Sequence, residues 1–169
     1  MATFADLRTQ AEAFLDASRA AGLKVTTAES CTGGLIGACL TEIAGSSDVF
    51  ERGFITYSNE AKIELIDVPA DLIERVGAVS EEVARAMAEG ALVRSSADMA
   101  VAVTGVAGPG GGTATKPVGL VHIACAVRDG ISRHAACHFD GDREAVRRQT
   151  VAMALTMLDA LVPRPDPDL

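Results

Sequence analysis

The sequence predicts an α/β fold: a single-domain three-layer α/β/α sandwich around a mixed sheet of about five strands. Three observations carry this. Strand-like and helix-like runs alternate through the first part of the chain. Met99 to Thr104 is almost continuously apolar, as in a strand covered on both faces. Leu120 to Val127 and Ile131 to Phe139 flank Arg128-Asp129-Gly130, a hairpin signal, so an antiparallel pair is expected late in the chain.

The elements follow in order. Phe4 to Ala21 is an amphipathic helix with Phe4, Leu7, Ala11, Phe14 and Leu15 on one face, ended by Gly22. Leu23 to Ala28 is a short strand. Gly33 to Ile43 is a helix of small residues ending at Ala44-Gly45-Ser46-Ser47. Phe50 to Tyr57 is a strand, and Asn59, as N-cap, opens a helix to Ile66 that Val68-Pro69 breaks. Pro69 to Arg75 adds a turn of helix. Ser80 opens a further helix to about Arg94, with Glu81 and Glu82 in the first turn where the dipole favours them. After the apolar strand, Gly105 to Gly119 is a glycine- and proline-rich loop. A long helix, Asp142 to Leu161, follows the hairpin. The domain is expected to span residues 1–162, with 163–169 a disordered tail.

Composition narrows the function. The 169 residues carry a formal net charge of −8, which argues against nucleic acid or an anionic membrane as the main partner. The basic cluster Arg143, Arg147 and Arg148 leaves room for a small anionic ligand. The four cysteines, Cys31, Cys39, Cys125 and Cys137, form no C-x-x-C. His122 and His134 each precede a cysteine by three residues in a strand, which turns the two side chains to opposite faces and away from a shared metal. With His138 they are expected to be structural or exposed. Free thiols and the lack of an export signal point to the cytosol.

Three strand ends carry the chemistry, since ligands of such sheets bind beyond the carboxyl ends of the strands. The first is Glu29-Ser30-Cys31-Thr32-Gly33-Gly34. Ser30 or Thr32 either caps the following helix or, for Ser30, serves as a nucleophile with helix-terminal amides as oxyanion donors. Cys31 is the rival nucleophile, its acidity raised by a nearby helix start. The second end is Tyr57-Ser58-Asn59-Glu60-Ala61-Lys62. With Asn59 as cap, Lys62 is the third helical residue, facing the positive end of the dipole. It is either a solvated surface lysine or a neutral general base. Tyr57, the only tyrosine, is a half-buried strand aromatic or a proton relay. The third end is Thr104-Gly105-Val106-Ala107-Gly108-Pro109, where Thr104 caps a turn or bonds a substrate amide, and the glycines let backbone approach a ligand.

Taken together and in order, these segments resemble the C-terminal domain of the CinA family of competence/damage-inducible proteins. Ile43-Ala44-Gly45-Ser46-Ser47, Gly77-Ala78-Val79-Ser80 and Lys116-Pro117-Val118-Gly119 extend the resemblance over roughly Phe4 to Leu161. The resemblance implies hydrolysis of nicotinamide mononucleotide to nicotinate mononucleotide and ammonia, with no metal or other cofactor. It implies a serine–lysine dyad at Ser30 and Lys62, supported by Tyr57 and Thr104. Substrate contacts are then expected from Glu29, Cys31, Thr32, Gly33, Gly34, Ser46, Ser47, Asn59, Gly105, Gly108 and one of Arg143 and Arg147. A homo-oligomer, dimer or higher, is expected. The alternative is a nucleotide-binding module with the same pocket and no turnover.

Overall fold

The computed structural model describes residues 3–164, so most of the expected tail lies outside the described residues. One five-stranded sheet carries the fold. Its strands are β1 (Val25–Glu29), β2 (Phe50–Ile55), β3 (Met99–Gly105), β4 (Leu120–Val127) and β5 (Ser132–His138), in the order β2-β1-β3-β4-β5. β1 pairs in parallel with both β2 and β3, whereas β3·β4 and β4·β5 are antiparallel. The mixed sheet and its late hairpin therefore follow the expected pattern.

Side-chain alternation divides the strands between two cores. Met99, Val101 and Val103 of β3 face a core shared with α1 (Phe4–Ala20), α2 (Leu35–Thr41) and α6 (Arg143–Asp159). Ala100 and Ala102 face the other core, with α3 (Asn59–Ile66), α4 (Ala70–Val76) and α5 (Glu81–Val93). The small alanines let α5 lie close to the sheet. Helix α3 packs directly on α5: a Cβ at Gly90 would overlap the carbonyl oxygen of Ile66. No helix of the described residues is long and apolar enough to cross a membrane.

Several local expectations are corrected. Phe4 is not in the core. It is 61% exposed and lies beneath the Arg148 guanidinium. The second strand ends at Ile55, which leaves Tyr57 in the connection to α3. Ser58, not Asn59, caps α3, its hydroxyl accepting from the Ala61 amide. Lys62 is therefore the fourth helical residue, and its own amide donates to the Ser58 carbonyl. Thr32 does not cap α2. That helix starts two residues later than expected, after Gly33 and Gly34 in left-handed conformations (φ +59° and +99°) that a β-carbon would strain. One pairing is an addition and not a correction: His122 and His134 share one sheet face. Their rings stack at 5.1 Å, with 2.9 Å between Nδ1 of His122 and Nε2 of His134.

Candidate active site

Because β1, β2 and β3 are parallel, their carboxyl ends lie at one sheet edge, and the start of α6 comes to the same edge from β5. Four of the sequence candidates meet there: Ser30, Lys62, Tyr57 and Arg143.

Ser30 follows β1 directly. Its amide donates to the Val103 carbonyl of β3, and its own carbonyl accepts from the Gly33 amide, which closes a tight turn. Its side chain is nearly buried, at 9% exposure. Lys62 reaches it from α3 with Nζ 3.0 Å from Ser30 Oγ. Helical side chains lean toward the helix N-terminus, and this lean carries Nζ back to the segment that precedes α3. There Nζ also donates to the carbonyls of Thr56 at 2.8 Å, Tyr57 at 3.4 Å and Ser58 at 3.4 Å. Lys62 is only 1% exposed, so the surface-lysine alternative is excluded. Burial drives its pKa below the ordinary lysine value, with Cys31 and Glu60 opposing weakly.

A neutral amine in this cage has two N–H donors for the carbonyls and one lone pair. As a cation the amine donates to Ser30 Oγ, whose own hydroxyl points to the Tyr57 carbonyl at 3.5 Å; once neutral, it can turn its lone pair to that hydroxyl. Two N–H groups cannot serve all three carbonyls, so the arrangement takes a proton from Ser30 by giving up one of the longer contacts, at Tyr57 or Ser58. Cys31 is a poorer nucleophile than the helix-start argument suggests. Burial pushes its thiol up to about 11.

A family model described as the CinA C-terminal domain matches residues 7–162. The chain belongs to this family. Among its relatives, the nicotinamide-nucleotide amidohydrolase PncC of Escherichia coli is 51% identical over 158 residues, which is 92% of this chain and 94% of that protein. A CinA-like protein of Akkermansia muciniphila is 53% identical over 139 residues, or 82% of this chain but 34% of that protein. The chain thus spans about a third of the longer curated relatives and nearly all of the shorter ones. Of solved structures, the competence/damage inducible protein CihA from Agrobacterium tumefaciens superposes with a TM-score of 0.90 at 52% identity, covering 92% of this chain and 95% of that one. A CinA superfamily protein from Escherichia coli gives 0.89 at 36% identity, covering 95% and 94%.

The remaining CinA-type candidates divide by position. Tyr57 contributes to the Ser30–Lys62 pair through its carbonyl. Its hydroxyl points elsewhere, to Nη2 of Arg143 at 3.1 Å. Arg143 also donates to the Gly108 carbonyl at 2.9 Å, while remaining exposed. Arg147 is withdrawn from the surface and donates to the Thr32 carbonyl at 2.9 Å, bracing the Ser30 turn from α6. Both arginines line a cleft of about 880 Å³ with Ala107, Pro109 and Val118. A separate groove of about 530 Å³ between α1 and α2 contains none of the site residues.

Thr104 is buried, and its hydroxyl donates to the Ala78 carbonyl at 2.9 Å, tying β3 to the start of α5. Gly105 admits the neighbouring strand, since a Cβ there would lie 2.7 Å from the Leu120 carbonyl oxygen. Gly108 has φ +84°, and a Cβ would stand 2.6 Å from Val118. Asn59 is exposed on the first turn of α3. Ser46 and Ser47 are corrected: they precede β2, at the opposite edge of the sheet from Ser30, because α2 carries the chain back across the fold. Within one chain they therefore lie on the other sheet edge from a ligand held at Ser30. What the sequence did not signal is the set of backbone carbonyls at 56–58, which have no side-chain signature.

Proposed function

We propose that this protein is a nicotinamide-nucleotide amidohydrolase that releases ammonia from nicotinamide mononucleotide. The observation that carries it is the buried Lys62 amine 3.0 Å from Ser30 Oγ. High identity over nearly the whole length of the PncC enzymes supports the choice of substrate. Ser30 Oγ attacks the carboxamide carbon while Lys62 takes its proton. The tetrahedral oxyanion is held by the Cys31 and Thr32 amides, since the Ser30 amide already donates to Val103 of β3 and the Gly33 and Leu35 amides donate within the turn. Lys62 returns the proton to the leaving nitrogen, which departs as ammonia. Water, deprotonated by the same amine, then cleaves the serine ester to give the carboxylate and regenerate Ser30. Arg143, exposed and steadied by Tyr57 and Gly108, binds the phosphate.

The proposal includes a cytosolic setting, on the four free thiols, and self-association, which light scattering on the purified protein decides. The activity is tested by ammonia release from nicotinamide mononucleotide. Wild type is expected to turn over, and folded Ser30→Ala and Lys62→Ala are not. Tight binding by wild type without product, or wild-type rates in both variants, would sink the proposal.

A further inference from the structure

Glu29 stands immediately before Ser30, yet its carboxyl does not face the cleft. It is the last residue of β1 and 1% exposed. Oε1 accepts from the Gly37 amide, in the first turn of α2, at 3.1 Å. The Gly34 and Ile36 amides are directed at the same carboxyl, and a Cβ on Gly34 would lie 3.8 Å from Oε2. Oε2 itself is buried without a partner, as are Thr32 Oγ1 and Arg147 Nε. Buried polar atoms are normally satisfied, so three such atoms around a single turn mark it as shaped by something other than stability.

We infer that Glu29 is a positioning residue for Ser30. Its carboxylate, accepting from the Gly37 amide with the Gly34 and Ile36 amides turned toward it, clamps the 30–34 turn and so holds both Ser30 Oγ and the Cys31 and Thr32 amides in place. The inference rests on the amidohydrolase proposal above. A carboxylate only accepts, which suits the N–H groups that open α2. Protonation would remove the negative charge that these N–H groups face and loosen the clamp. Burial pushes Glu29 up to about 7, with the amides and Arg147 opposing, so the clamp changes state near neutrality. The other titratable groups that face it, Cys31 and Cys39, are held at about 11 and stay neutral in that range.

The test compares wild type with Glu29→Gln, whose amide keeps the shape and loses the charge. The variant is expected to lose about 10–100-fold in kcat with KM within about twofold, the mark of an interaction felt mainly in the transition state. The wild-type kcat profile should inflect near the Glu29 transition, and the variant profile should lack that inflection. A role in folding alone would leave the inflection in place. Independently of turnover, the Glu29 carboxyl carbon and the Cys31–Gly34 amides are followed by NMR against pH in the wild type. They are expected to titrate together. A variant with wild-type kcat, or a carboxyl that titrates without moving those amides, overturns the clamp. If wild type releases no ammonia, the amidohydrolase proposal falls, and the NMR titration still decides the clamp. The same holds if the variant does not fold.

Discussion

Lys62 is closer to the Thr56 carbonyl oxygen, at 2.8 Å, than to Ser30 Oγ, at 3.0 Å. The carbonyl cage therefore sets where the amine sits, and Ser30 meets what is left of its valence. Burial drives Lys62 down from 10.5, so its neutral fraction grows as pH rises through that lowered value. The rate of ammonia release is expected to rise with pH on this limb. Lys62→Arg keeps a cation but supplies a group that does not deprotonate, and should lose about 10²–10⁴-fold in kcat at every pH. A pH–rate profile for both proteins checks this. A flat wild-type profile would remove Lys62 as the base.

Arg143 and Arg147 should separate kinetically. Arg143 is exposed and joined to Tyr57 and Gly108, whereas Arg147 donates to the turn that carries Ser30. Arg143→Ala should raise KM by about 10–100-fold, the size of a charge-assisted hydrogen bond, and spare kcat. Arg147→Ala should act mainly on kcat. The dephosphorylated nucleoside supplies the control. Removing the phosphate should cost the wild type affinity and cost Arg143→Ala much less, a coupling that a double-mutant cycle measures.

Gly90 lies on α5, away from the cleft, but its lack of a side chain is what admits the Ile66 carbonyl and hence the end of α3. Gly90→Ala must part the two helices. The expected cost is about 1–3 kcal/mol of stability, typical of overpacking. The same displacement moves Lys62, so kcat should fall further than the lost folded fraction explains. Denaturant titration combined with kcat per folded molecule distinguishes the two effects.

The His122–His134 pair predicts a pH-dependent stability. Burial lowers the pKa of both rings from 6.5; His134 adds to this at His122, whereas Glu81 opposes it at His134. A histidine with a lowered folded pKa contributes stability that is present above the unfolded value of 6.5 and is lost as pH falls through the folded value. Glu82, Arg85 and Lys116 also face the pair and shift the midpoint without changing the sign. Melting temperature should therefore drop on acidification below about 6.5, less steeply in His122→Asn. Equal slopes would show that the pair does not titrate on unfolding.

Much of this architecture was legible because its signals are local. The apolar run of β3 and the Asp129-Gly130 turn act within a few residues, and both stand where the sequence puts them. The caps were harder. Ser58 and Asn59 are adjacent and equally suited, so only the backbone angle at Ser58 (φ −86°, ψ 165°) decides between them. Thr32 had the chemistry of a cap, but Gly33 and Gly34 extend the turn and move the helix start beyond its reach. Ser46 and Ser47 were misplaced for a global reason. A helix that links parallel strands returns the chain to the far edge of the sheet, so residues before the next strand stand away from Ser30 of the same chain. The Lys62 cage was illegible because backbone carbonyls look the same at every position until the chain is folded.

Ser30 hangs from β1, with neighbours on both sides, whereas Lys62 is held by the segment that leaves β2, one margin of the sheet. β2 pairs with β1 alone, and none of its residues is fully buried. Such margins open locally well before a domain melts. Peeling this one strand separates base from hydroxyl while β1, β3, β4 and β5 keep their ladder. On the proposed mechanism, ammonia release is thus a gauge of the β1–β2 seam. In mild urea, ammonia release should fade while far-ultraviolet circular dichroism still reports a folded chain, and hydrogen exchange in β2 should follow the loss of rate.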